Sequence, residues 1–171
     1  MKFWSSIICF VAIVTAPGAA SAYCAGGDRT LPNYRPNYYS VPLEFRRAEF
    51  VIEGLVTRET WIDDEGKPKA LAAPFGSGEK RPWGLAAPYV GAWYDIRVLR
   101  RFKGQAPSHL RLFSENSTAR FWLNEGHRYL LFISEEAFDD PVRRAMTIDT
   151  CGNSARSNAA LLTRLKRLAT R

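Results

Sequence analysis

The chain has 171 residues, with 24 Lys and Arg against 17 Asp and Glu, for a formal charge of +7 at neutral pH. Hydrophobic residues make up 46% of it and aromatics 13%, enough to bury a core, which excludes an intrinsically disordered chain. Beyond the first 22 residues no apolar run reaches about 18 residues, which excludes a spanning helix.

Residues 1–22 carry one charge, Lys2, then an apolar run over 7–15 and the small-residue end Ala20-Ser21-Ala22. This is the n-region, h-region and A-x-A site of a secretory signal peptide. The expected protein is therefore exported, periplasmic or secreted, and begins at Tyr23-Cys24. The bulky ring of Tyr23 directly before Cys24 argues against lipidation of that cysteine. Residues 23–171 have the size of a single domain. Aromatics are spread through it and nearly all Gly and Pro precede Gly126, a mix that leans towards an all-β fold.

Of three cysteines, Cys9 leaves with the signal peptide. Cys24 and Cys151 remain, and two cysteines in an exported chain most simply pair with each other. On the chain-entropy model such a long loop is worth about 4–5 kcal/mol. The rival is a free or intermolecular thiol. Zinc sites want closely spaced cysteine pairs, so no metal and no cofactor is expected.

Residues 25–46 are broken by Pro and Asn and read as an irregular arm. Residues 47–57 (RAEFVIEGLVT) read as the first strand, with Gly54 marking a bulge or a strong bend. Residues 58–91, rich in Gly and Pro, read as an inserted loop with room for a short hairpin. Residues 92–103 (AWYDIRVLRRFK) alternate, with Tyr94, Ile96 and Val98 on one face and Asp95, Arg97 and Arg101 on the other. Strands follow at 109–114 and, after the turn Asn124-Glu125-Gly126, at 128–134, the most apolar of all. A loop with Asp139-Asp140-Pro141 leads to a last strand at 144–150. Residues 157–171 read as an amphipathic helix, with Leu161, Leu165 and Leu168 on one face, basic residues largely off it, and Ser157 or Asn158 as cap.

Cys24 after the leader, residues 48–56 (AEFVIEGLV), residues 94–104 (YDIRVLRRFKG), the stretch from Phe121 through Gly126 to Phe132, and Thr150-Cys151-Gly152 occur in the order found in one family. The chain resembles the netrin-module superfamily, which includes the tissue inhibitors of metalloproteinases, over most of residues 24–151. The resemblance implies a five-stranded OB-type Greek-key barrel, a long loop after the first strand and a closing helix. In the animal inhibitors the N-terminal cysteine's free amine chelates the protease zinc. Here Tyr23 precedes Cys24 and removes that amine. A one-bridge version is similar to bacterial secreted relatives.

Other chemistry is thin. His109 and His127 have no companion at metal spacing, and no G-x-S-x-G elbow occurs. Asp63-Asp64-Glu65, Glu135-Glu136 and Asp139-Asp140 lack the spacing of a calcium loop. Gly76-Ser77-Gly78 lacks that of a phosphate loop. Asn116-Ser117-Thr118 has the form of a glycosylation sequon. Arg97, Arg100, Arg101, Lys103 and Arg111 form a basic cluster, and Trp61, Trp83 and Trp93 are candidate exposed contact anchors. Trp93 also fits core packing. The expected protein is an exported, non-enzymatic binding module, with Tyr23, Cys24, Trp61, Trp83, Arg97 and Arg101 as binding candidates. Export disfavours nucleic acid, leaving a protein partner or an anionic glycan or lipid of the envelope. The alternatives are a metalloprotease inhibitor acting through the Cys24 region and a small envelope enzyme.

Overall fold

In the computed structural model, which describes residues 40–69, 89–116 and 121–170, one long strand is shared by both halves of the sheet. Strand β1 (Phe50–Ile62) pairs antiparallel with β2 (Gly91–Lys103) along nearly its whole length. Its first half also pairs with β4 (Arg128–Ala137). Outside β2 lies β3 (His109–Glu115), and outside β4 lies β5 (Arg144–Thr147), giving the order β3-β2-β1-β4-β5. The two ends of that row meet where the Thr147 hydroxyl donates to the Phe113 carbonyl at 2.9 Å. The result is mainly β, a nearly closed antiparallel five-strand barrel. A two-residue strand, β6 (Ala155–Arg156), adds to β4 at Tyr129 and Leu130. Two helices flank the barrel: α1 (Val41–Arg47) and the C-terminal α2 (Ala159–Ala169).

Burial explains the strand patterns. Ile52, Val56, Tyr94, Ile96, Leu112, Leu131 and Ile133 fill the interior. Val51, Leu130 and Phe132 form a second cluster with Val41 and Phe45 of α1 and Leu161, Leu165 and Leu168 of α2. Strand β4 is thus covered on both faces, which is why Tyr129 through Ile133 are all buried and the segment reads as an unbroken apolar run. The middle of β2 has one face in the core and one towards solvent, so Tyr94 and Ile96 are buried while Arg97 is exposed. The leucine face expected of the C-terminal helix is the one that packs, with Leu165 fully buried. Asn158 is its cap, its side-chain oxygen accepting the Leu161 N–H at 2.9 Å.

Gly54 sits where the β1–β2 register slips, between Glu53 and Gly54. A Cβ there would lie 2.5 Å from Ile96 Cγ2, so the missing side chain lets two strands approach on the inside of the bend.

Several boundaries move. Strand β1 runs to Ile62, five residues into the segment read as an inserted loop, because Trp61 and Ile62 find core positions. The chain then reverses: Asp63 Oδ1 accepts the N–H groups of Glu65 (3.1 Å) and Lys67 (2.9 Å), and Gly66 takes φ +76°. The last strand of the barrel ends at Thr147 rather than at residue 150. The tail of the expected irregular arm is helical in α1. Pro42 in its first turn suits a helix start, and Ala48 N–H donates to Glu44 O at 2.8 Å at its end.

Glu44 of α1 is buried against the turn that carries Cys151. Its Oε2 accepts the Asn153 N–H at 2.6 Å and the Asn153 side-chain amide at 2.5 Å, while Oε1 has no hydrogen-bond partner. Gly152 leaves room for it, since a Cβ at 152 would fall 2.1 Å from Oε1. Burial pushes the carboxyl above its ordinary value of 4.5; the Asn153 hydrogen bonds oppose that, and the nearby Asp149 charge adds to it.

Two outcomes are expected. Gly54→Ala lowers the stability by about 1–3 kcal/mol through overpacking, read as a lower urea midpoint at unchanged slope. For Glu44, a folded-state pKa raised above the unfolded one means the native protein holds the proton more tightly. Its stabilising contribution is complete below about pH 4.5 and is lost as pH rises through the folded value. Glu44→Gln therefore loses stability less steeply than the parent from pH 4.5 to neutrality in urea melts across that range. Glu136, also raised by burial and by Asp149, keeps a residual slope in both proteins.

Candidate functional site: a basic cleft on the outer face of β1–β3

The register of β2 on β3 sets three pairs side by side: Trp93 opposite Phe113, Asp95 opposite Arg111, and Arg97 opposite His109. On the other side of β2, Arg58 of β1 lies opposite Asp95. Paired residues share a face of the sheet, so Arg58 and Arg111 flank the carboxylate of Asp95, and Arg97 and His109 lie beside it on the same face. A concavity of about 570 Å³ opens there, lined by Thr57, Arg58, Asp95, Ile96, His109, Leu110 and Arg111.

Asp95 organises the cleft. Arg58 Nε donates to its Oδ2 at 2.7 Å, and Arg111 Nε lies 3.5 Å from its Oδ1. The Thr57 hydroxyl donates to the Asp95 carbonyl at 3.0 Å. Arg111 is held from a second side, its guanidinium lying over the Trp93 ring at 4.8 Å. Trp93 in turn packs on Phe113 at 5.1 Å and Phe113 on Phe138 at 5.0 Å. A row of rings thus backs the arginine and leads into the apolar cluster of Ile62, Phe113 and Ala145. Ion pairs this exposed add little to stability. What they do here is restrict two guanidiniums that would otherwise sweep through solvent.

The arrangement suits binding an anion. Two guanidiniums, those of Arg58 and Arg111, contact one carboxylate, and Arg97 adds a third on the same face, leaving it electropositive. The Ser108 hydroxyl lies 3.4 Å from His109 Nδ1, longer than a nucleophile–base contact. Among the described residues no group of three or more His, Cys, Asp or Glu could hold a metal ion.

Of the residues singled out in the sequence, Arg97 lies on this face and is exposed. Arg101 does not share it. The register passes from Gly54↔Val98 to Glu53↔Arg100, and from Ile52↔Arg101 to Val51↔Lys103, so Leu99 and Phe102 are each extra on β2. The bulges break the alternation that had grouped Arg97 with Arg101, and Arg101 Nε instead donates to the Ala106 carbonyl at 2.6 Å. Trp61 is not an exposed anchor. It is 3% exposed, with Tyr89 at 5.3 Å and Trp122 at 6.3 Å, because β1 continues far enough to carry it into the core. Trp93 is half-buried beneath Arg111 and serves the cleft wall. Cys151 is half-buried in a turn, its N–H donating to Asp149 Oδ1 at 2.7 Å. Tyr23, Cys24, Trp83 and the signal-peptide segment lie outside the described residues, as does most of the stretch 58–91.

Thr57 and Arg58 went unrecognised because the first strand was ended at residue 57. The signal was present, since Arg58-Glu59-Thr60-Trp61-Ile62 continues a strand composition. Asp95 was seen only as a solvent-facing residue. Its role depends on Arg58 and Arg111, 37 residues before it and 16 after it in the chain.

No family model matches the chain, and no curated protein matches it. Among the described residues no helix is long and apolar enough to cross a membrane.

Proposed function

We propose that this protein is an exported, non-enzymatic binding module that takes an acidic glycan of the cell envelope on the outer face of β1–β3. The observation that carries this reading is the cleft itself: Arg58, Arg111 and His109 brought by strand register beside one carboxylate, with Arg97 next to them on the same face. The strand order β3-β2-β1-β4-β5, with β5 returning to β3, is consistent with an OB-type barrel of the netrin kind. In OB barrels the face of strands 2 and 3 is a recurrent seat for oligosaccharides and oligonucleotides. The apolar leader over residues 7–15 supports export, and export favours a glycan over a nucleic acid. The net charge of +7 adds long-range attraction to an acidic polymer.

The same reading pairs Cys24 with Cys151. Export supplies the oxidising environment. The Cys151 turn is held by Glu44, in the first turn of α1.

Binding of the exported protein to a polyuronate, followed by calorimetry, is expected to weaken steeply between about 50 and 300 mM salt as screening increases. Arg97→Glu is expected to weaken it by about tenfold or more at low salt, and salt-independent binding unaffected by Arg97→Glu refutes the cleft as the seat. Intact mass of the exported protein is expected to match a start at Tyr23, with two alkylated cysteines after reduction and none before. A start at Cys24 with a free amine would instead favour inhibition of a metalloprotease, tested directly on a protease panel.

A further inference from the structure

Among the described residues Asp95 is the one acidic side chain lining a cleft that also holds Arg58 and Arg111, so simple charge counting makes it a defect of an anion site. Its geometry says otherwise. Both of its contacts run to an Nε atom, that of Arg58 at 2.7 Å and that of Arg111 at 3.5 Å. Among the described residues no hydrogen bond runs from the terminal Nη groups of either arginine, and both side chains stay largely in solvent, at 69% and 51% exposed. The carboxylate therefore meets both guanidiniums on their Nε side, which keeps the terminal N–H groups for a ligand. Trp93 lies under the Arg111 guanidinium at 4.8 Å and restrains it from a second side. A planar guanidinium restrained in this way donates two parallel hydrogen bonds to a planar carboxylate, which a freely rotating one does less well.

We infer that Asp95 is a positioning residue for a two-armed carboxylate clamp, Arg58 and Arg111, and that the group it recognises is the carboxylate of a uronic acid. This rests on the reading of the cleft as an acidic-glycan site. The charge balance fits: Asp95 offsets one of the two guanidinium charges, and the remaining positive charge matches a single carboxylate. Arg97 and His109, further along the same face, meet the next units of an acidic chain.

The test uses the full exported protein and an oligogalacturonate as probe, with a sulfated neutral oligosaccharide as comparator, in calorimetric titrations at fixed low salt. Asp95→Asn makes the protein more positive by one charge, yet it is expected to bind the oligogalacturonate about tenfold more weakly, because both arms are released. Arg111→Lys keeps the charge and the strand, and is expected to lose about tenfold with an unchanged salt slope, because the fork is gone. Both variants are compared with the parent by thermal unfolding, and Arg111→Lys decides the matter if Asp95→Asn is poorly folded. Equal or tighter binding by Asp95→Asn, or parental binding by Arg111→Lys, overturns the clamp while leaving the cleft as an anion site. Preference of the parent for the sulfated comparator overturns the carboxylate assignment. Binding of neither probe overturns the glycan reading itself.

Discussion

Strand β1 must satisfy two neighbours at once, and the rest of the structure depends on how it does so. It hydrogen-bonds to β2 on one edge and to β4 on the other, so it cannot shift register against either without breaking both ladders. To serve both it has to bend. The bend is made by register slips and by the absence of a side chain at Gly54, where Ile96 comes too close for any Cβ. Because β1 bends, β5 can reach β3 and the row of strands nearly closes, which removes edges that would otherwise be open to pairing.

The same bend divides the labour between faces. From Tyr129 to Ile133 strand β4 buries one face in the barrel and the other under the two helices, and the start of β1 joins that second layer through Val51. The outer faces of β2 and β3 are not covered by α1 or α2 in their middle stretch, and the far end of β1 joins them through Arg58. The cleft lies where the helical cover ends and the aromatic cluster of Trp93, Phe113 and Phe138 begins. Its rigidity comes from that cluster and from Asp95, rather than from burial of the charges themselves.

Glu44 shows a different use of a carboxylate. Asp95 is part-exposed and shared between two cations, whereas Glu44 is buried, has amide donors from Asn153 on one oxygen and nothing on the other. Water screens the first and gives it a directing role. The second is exposed to the full desolvation cost, which raises its pKa and ties the docking of α1 to pH. Its partner turn contains Cys151, so α1 and the cysteine are held by one small network.

Legible along the chain were the β class, the core face of β2, the unbroken apolar run of β4, the turn glycine at 126 and the C-terminal helix with its leucine face. These are legible because period 2, period 3.6 and glycine's tolerance of positive φ are local properties. The bend at Gly54 was legible too, because a glycine inside a strand marks a bulge or a close approach. Only the tertiary structure decided that β1 runs on to Ile62, that Trp61 belongs to the core and that residues 41–47 are helical, since long-range packing overrides composition there. Register alone decided the site. One extra residue on β2, Leu99, puts Arg101 out of step with Arg97, and antiparallel pairing brings Arg58, Asp95 and Arg111 together from three strands. No pattern along one strand contains that meeting, because hydrogen bonding between strands creates it.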